Sequence, residues 1–271
     1  DPVYTTYPWD EVFGDFDGSG SMDAAFVPPS TVTGQKLKGY SWNGTSFAQV
    51  ASGGDNSVGD VWQAVDLNGD GKDEILTTTP QSSSNDFYYD VFEQLSGAFD
   101  KRLRATLTVA EGDWDIYVFG DFNGDGASDL ARYFIDSDDD DPKVRLFLSN
   151  GRTLIGQTTT DVPDICDENC KMLVGDFDAD SRSDLVLSER GNSLGTVLLG
   201  KGNAQWDIQR PAMNQLLAVA DFSGDGKSDV LGAQRVWSHW ITAQSFDLYY
   251  ATGAAPDLVS SITSPYGGVT E

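Results

Sequence analysis

The sequence predicts an all-β chain assembled from repeated four-stranded antiparallel units. Three observations carry this expectation. A nine-residue stretch rich in acidic residues and glycine recurs five times, and short alternating apolar runs flank each copy. The composition, 39% hydrophobic and 11% aromatic, is too rich for a disordered chain. The copies are DFDGSGSMD from Asp15, DLNGDGKDE from Asp66, DFNGDGASD from Asp121, DFDADSRSD from Asp176 and DFSGDGKSD from Asp221. Their starts lie 51, 55, 55 and 45 residues apart, and a period near 50 residues is the mark of a solenoid or a propeller.

The elements follow in order within each repeat. Each copy is entered by a strand-like run, DEVFGDF, DVWQAVDL, DIYVFGDF, KMLVGDF or LLAVADF, and left by a second, DAAFV, DEILTTT, DLARYF, DLVLSE or SDVLGA. Further on, stretches such as LKGYSWNGTSFAQV and KVRLFLSNGRTLIGQ read as a second hairpin turning at Asn, Gly or Ser. One repeat is therefore four strands, a unit that cannot bury its faces alone but can stack on its neighbours. The chain, 1–271, reads as one domain with repeats at about 10–55, 60–110, 115–160, 170–210 and 215–265. This is a five-bladed β-propeller, the alternative being six blades of which one lacks the motif.

The chemistry of the loop follows from its spacing. Counted from the first Asp, side-chain oxygens recur at positions 1, 3, 5 and 9. These are Asp15, Asp17, Ser19 and Asp23 in the first copy, Asp66, Asn68, Asp70 and Glu74 in the second, and Asp121, Asn123, Asp125 and Asp129 in the third. The fourth offers Asp176, Asp178, Asp180 and Asp184, and the fifth Asp221, Ser223, Asp225 and Asp229. Hard oxygen ligands at this density suit Ca2+, and glycines at positions 4 and 6 let the backbone bend so that alternate side chains converge. An EF-hand would need flanking helices and a Glu at position 12, where this chain has Phe26, Thr77, Arg132, Leu187 and Gly232. The ligand set closes instead at position 9, between two strands.

These stretches resemble the FG-GAP or VCBS-type repeat, the calcium-binding blades of integrin α-chain propellers and of related bacterial and fungal proteins. FGDFNGDGASDL follows the pattern closely, and VFGDFDGSG carries the Phe-Gly entry. The resemblance implies a propeller with calcium in four or five copies, and a role in adhesion, lectin activity or as an accessory domain of an enzyme or toxin. The copies depart from the pattern unevenly. Ser19 and Ser223 each remove a charge, which should weaken their loops. The fourth copy keeps its four carboxylates but has Ala179 and Ser181 where the pattern has glycine, which puts its turn in question.

With 17 Lys plus Arg against 43 Asp plus Glu, the formal charge of −26 repels nucleic acid and anionic membrane surfaces. No apolar run is long enough to insert in a membrane, and the opening residues lack the pattern of a signal peptide, so the chain reads as mature or excised from something longer. Cys166 and Cys170, in CDENC, read as a local disulfide, which points to secretion or the cell surface, the alternative being two free surface thiols. DSDDDDP, 136–142, reads as a solvated charge run, the alternative being a docking patch for a basic partner. Trp42, Trp237 and Trp240 are candidates for ligand stacking, weighed against packing between blades. Catalysis has little support: there is no nucleophile elbow, the chain has one histidine, and most carboxylates sit in the repeated loops. The expectation is a calcium-stabilised module for carbohydrate recognition or adhesion, with a glycan or a protein as ligand. The alternatives are a scaffold domain of a larger toxin or surface protein, and a carbohydrate-active enzyme.

Overall fold

The computed structural model describes residues 10–28, 36–53, 60–80, 86–95, 97–109, 112–138, 140–163, 170–189, 194–235, 243–251, 262–263 and 269–270. They form strands and connecting turns, without a helix among the described residues. Strands β1 (Asp10–Gly14), β2 (Asp23–Val27), β3 (Leu37–Trp42) and β4 (Phe47–Gly53) make the first sheet. Strands β5 (Asp60–Val65), β6 (Glu74–Pro80), β7 (Phe87–Leu95) and β8 (Ala98–Leu107) make the second. The third holds β9 (Gly112–Gly120), β10 (Asp129–Asp136), β11 (Pro142–Ser149) and β12 (Leu154–Asp161). The fourth holds β13 (Cys170–Gly175), β14 (Asp184–Glu189), β15 (Gly195–Gly200) and β16 (Trp206–Gln209). A fifth has three described strands, β17 (Gln215–Ala220), β18 (Asp229–Arg235) and β19 (Ala243–Tyr249), and β20 (Ile262–Thr263) pairs with β21 (Val269–Thr270). Each large sheet keeps sequence order from strand to strand, the pattern of a propeller-like blade.

Local chemistry explains the strand order. The second strand of a sheet is flanked on both sides and covered on both faces, so β10 and β14 read as nearly continuous apolar runs and are buried almost throughout. The fourth strand is an edge: β12 has mostly exposed side chains after Leu154, consistent with its sequence LIGQTTTD. Between β3 and β4 the chain turns at Asn43-Gly44. Gly44 takes φ 91°, and Asn43 Oδ1 accepts N–H bonds from Thr45 and Ser46, both at 3.0 Å.

The chain divides into two compact units. The first comprises Asp1–Glu111, Asp125–Ser128 and Leu148–Gly156; the second comprises Gly112–Gly124, Asp129–Phe147 and Gln157–Glu271. In the first, Val12, Ala25, Val27, Leu37 and Ala51 of one sheet pack on Ile75, Phe92 and Phe99 of the next. Phe16 meets Phe99 edge-on at 5.6 Å. In the second, Phe177 and Val186 pack on Met213, Leu216 and Val230.

Candidate metal centres

Each nine-residue loop joins the first strand of its sheet to the second. Position 9 is the first residue of the second strand, paired directly opposite the last residue of the first: Gly14 with Asp23, Val65 with Glu74, Gly120 with Asp129, Gly175 with Asp184, Ala220 with Asp229. Position 2 anchors the loop through an apolar side chain. Phe16, Leu67, Phe122 and Phe177 are buried, whereas Phe222 is 45% exposed.

The position 1 carboxylate folds the loop around itself. Asp15 accepts N–H bonds from Ser19 at 3.0 Å and Gly20 at 2.7 Å. Asp66 does the same for Gly69, Asp70 and Gly71, and Asp221 for Gly224, Asp225 and Gly226. Asp121 accepts from Gly124, and Asp176 from Asp180 and Ser181. In position 5, Asp70, Asp125, Asp180 and Asp225 each accept the N–H two residues on, from Lys72, Ala127, Arg182 and Lys227.

These turns require left-handed backbone at positions 4 and 6. Gly69 and Gly71 take φ 74° and 81°, and the first, third and fifth loops follow suit. The fourth loop keeps the same turn without glycine, at φ 57° for Ala179 and 66° for Ser181. The carboxylate of Asp176 holds it there, against a steric cost of about 1–2 kcal/mol per residue. Ser181 is exposed. We expect Ser181→Gly to stabilise the protein by about 0.5–1 kcal/mol, the strain relief less the entropy that glycine adds to the unfolded chain. A melting temperature below that of the parent would refute the strain.

Position 9 is buried in every copy, with Asp23, Glu74, Asp129, Asp184 and Asp229 all at 2% exposure or less. A charge so placed needs partners. Glu74 accepts from Leu67 N–H and Asn68 Nδ2, both at 2.9 Å. Asp184 accepts from Phe177 N–H at 2.8 Å and Gly200 N–H at 2.7 Å, and Asp229 from Ser223 and Ala251 N–H. Asp129 accepts from Phe122 N–H at 3.0 Å. Asp23 Oδ1 accepts from the Ser41 hydroxyl at 2.5 Å, and the Phe16 N–H faces the same carboxylate.

Burial, with neighbouring loop carboxylates, pushes Glu74 up to about 8 and Asp184 up to about 7. Burial likewise raises Asp23, with Asp17 adding to it, and Asp178, with Asp180 adding to it. Ser19 holds Asp17 below the ordinary carboxylate range.

Three carboxylates converge in two of the loops. Asp15, Asp17 and Asp23 place ligand oxygens within 4.8 Å of one another, and so do Asp176, Asp178 and Asp184. The fourth-loop trio includes a buried oxygen without a hydrogen-bond partner, Asp178 Oδ1. That donor set, hard and anionic, fits a calcium-sized cation. In the fourth loop cationic side chains compete for it: Arg182 pairs with Asp180, and Lys201 Nζ lies 4.0 Å from Asp178.

Sequence reasoning missed two features. The first is position 8. Its N–H donates to the position 1 carbonyl of the preceding loop: Asp73 to Asp15 at 2.9 Å, Ser128 to Asp66 at 2.7 Å, Ser183 to Asp121 at 2.6 Å, Ser228 to Asp176 at 2.7 Å. Asp73 and Ser228 also accept the N–H of Asp15 and Asp176. The residue before the loop must leave room for this approach, and a Cβ on Gly14, Gly120 or Gly175 would fall 2.6–2.7 Å from its neighbour. The recurrence of Asp or Ser at position 8, beside a glycine at the loop entry, was the available signal. The second feature is Ser41, which lies outside the motif.

Outside the loops, carboxylates are engaged structurally. Asp90 binds Arg104 through both oxygens at 2.7 Å and Lys101 at 2.7 Å, Asp115 pairs with Arg132 at 2.7 Å, and Asp86 accepts from Val109 N–H. Trp42 is 45% exposed and its ring lies 5.2 Å from that of Phe47. Trp237, Trp240 and Cys166 lie outside the described residues; Cys170 is disulfide-bonded. No helix among the described residues is long and apolar enough to cross a membrane.

Comparison with protein families matches residues 66–132 to the FG-GAP-like repeat, a span running from position 1 of the second loop to just beyond the third. Comparison with curated proteins finds no match. Residues 66–132 are thus similar to the FG-GAP-like repeat, and the four-stranded antiparallel sheets built around the recurring loop fit an FG-GAP-type β-propeller.

Proposed function

We propose that this protein is a calcium-stabilised interaction module of the adhesion type, working outside the cell or at its surface. The observation that carries the calcium reading is the convergence of two carboxylate trios, Asp15, Asp17 and Asp23 in the first loop and Asp176, Asp178 and Asp184 in the fourth, the latter with a buried Asp178 oxygen that lacks a hydrogen-bond partner. Like charges this close repel, and a divalent cation offsets them. The loops would hold calcium through positions 1, 3 and 9, and calcium would supply charge neutralisation and cross-linking of the hairpin. FG-GAP-like repeats support protein recognition as the role. The charge of −26 favours a partner with a basic face and disfavours nucleic acid. The disulfide at Cys170 supports an oxidising compartment.

Carbohydrate recognition is the second reading, favoured by the exposed aromatic pair Trp42 and Phe47. Phe47 also lines a cavity of about 480 Å³ with Phe13, Phe26, Lys38 and Tyr40.

The test pairs melting curves with a glycan array, each in calcium and in excess chelator. Calcium at a hundredfold excess over Kd should stabilise the fold by about 2.7 kcal/mol per occupied site. Calcium-dependent binding to a coherent set of sugars would select the second reading, and folded protein that binds no sugar would leave protein recognition. Identical melting curves in calcium and in chelator would remove calcium from the account.

A further inference from the structure

Motif completeness ranks the first loop low, because Ser19 stands where the second, third, fourth and fifth loops have Asp. The geometry reverses that ranking. In the fourth and fifth loops the outer oxygen of the position 9 carboxylate is capped by a backbone N–H, from Gly200 and Ala251. In the second, Asn68 turns its amide nitrogen onto Glu74. An N–H consumes an acceptor and offers no oxygen in return.

The first loop differs. The cap on Asp23 Oδ1 is the Ser41 hydroxyl of β3, 2.5 Å away, which also lies 3.4 Å from Asp17 Oδ2. A hydroxyl has one proton to give and keeps oxygen lone pairs. With the proton committed to Asp23, the Ser41 oxygen stays between two carboxylates of the trio. Asp23 itself is 1% exposed, so its carboxylate is held away from water.

We propose that the first loop binds a cation more tightly than the second, fourth and fifth loops do, and that Ser41, from outside the repeat motif, supplies the oxygen that Ser19 fails to provide as a charge. The proposal rests on the calcium reading above. Ser41 orders Asp17 and Asp23 about the cation and stands within reach of it.

The test is a calorimetric titration of calcium into the full chain, stripped of metal, at fixed ionic strength. Ser41→Ala should weaken one of the two tightest steps by about tenfold or more, the scale on which a group that orients metal ligands acts. Ser41→Thr, which keeps the hydroxyl and suits a strand, should restore it. Asp66→Asn, in the complete second loop, should leave that step unchanged. Two tightest steps that both survive Ser41→Ala, or a Ser41-sensitive step that disappears with Asp66→Asn, overturn the proposal while leaving calcium binding intact. Should Ser41→Ala fail to fold by circular dichroism, Asp17→Asn takes its place, and two tightest steps unchanged in that variant overturn the assignment equally. Folded parent protein that takes up no calcium defeats the calcium reading itself.

Discussion

Gly175→Val is expected to destabilise the protein by about 3 kcal/mol, the upper range for forcing a side chain into filled space. The new Cβ would stand 2.6 Å from Val219 Cγ1 and 2.7 Å from both Cβ and Oγ of Ser228. Val219 can rotate away, but Ser228 Cβ is fixed to backbone that is itself bonded to the fourth loop. Ser228 N–H donates to Asp176 C=O at 2.7 Å, and Asp176 N–H donates back to Ser228 Oγ at 3.0 Å. Making room for valine therefore opens both bonds and separates two loops. For a chain of this size the melting temperature should drop by roughly 6–12 °C. Adding Ser228→Gly removes the fixed contact and should recover part of the loss. A Gly175→Val protein that melts with the parent, or a double variant no better than the single, would refute the steric account of the loop-entry glycine.

Asp90→Ala should cost about 2–3 kcal/mol. The Asp90 side chain is 1% exposed and serves Arg104 and Lys101 together, whose own side chains are 44% and 23% exposed. Breaking a fully buried pair costs about 3–5 kcal/mol; the water available to both cations lowers the figure here. The pH dependence has a definite sign. Burial pushes the Asp90 carboxyl up, but the hydrogen bonds and charges of Arg104 and Lys101 outweigh it and leave the group below its usual range. A carboxylate depressed on folding contributes its full stability above the unfolded value, near 3.9, and loses it as pH falls through the folded value. The stability difference between parent and Asp90→Asn should thus be constant from neutral pH to about 5 and shrink below about 4, where Asp90 becomes neutral as well. A difference that grows on acidification would show that the ion pairs are not its source.

Much of the architecture was legible because its signals are local. The loop copies, at positions 1, 3, 5 and 9, are spaced by a few residues, and the same spacing places Asp66 within reach of the Gly69 and Gly71 N–H groups. The apolar runs on either side gave the strand pairs, since Gly14 and Asp23 must face each other once the intervening loop closes. The fourth loop shows where local rules overreached. Ala179 and Ser181 suggested a broken turn, yet both adopt the left-handed conformation, because the Asp176 carboxylate collects the loop's N–H groups whatever residues carry them.

By itself, the sequence determined the strands, the loop and the type of atom each loop offers, all set by contacts within about nine residues. The tertiary structure decided which oxygens are available and what joins one loop to the next. Those outcomes depend on partners far along the chain: Ser41 is 18 residues from Asp23, Ser228 is 52 from Asp176, and Asp73 is 58 from Asp15. No local periodicity encodes such pairs. The loop-to-loop pairs exist because stacked sheets bring their loops to hydrogen-bonding distance, and the Ser41–Asp23 pair because β3 lies beside β2 in one sheet; at that distance one hydroxyl or one missing Cβ settles whether a buried carboxylate is satisfied or left for a cation.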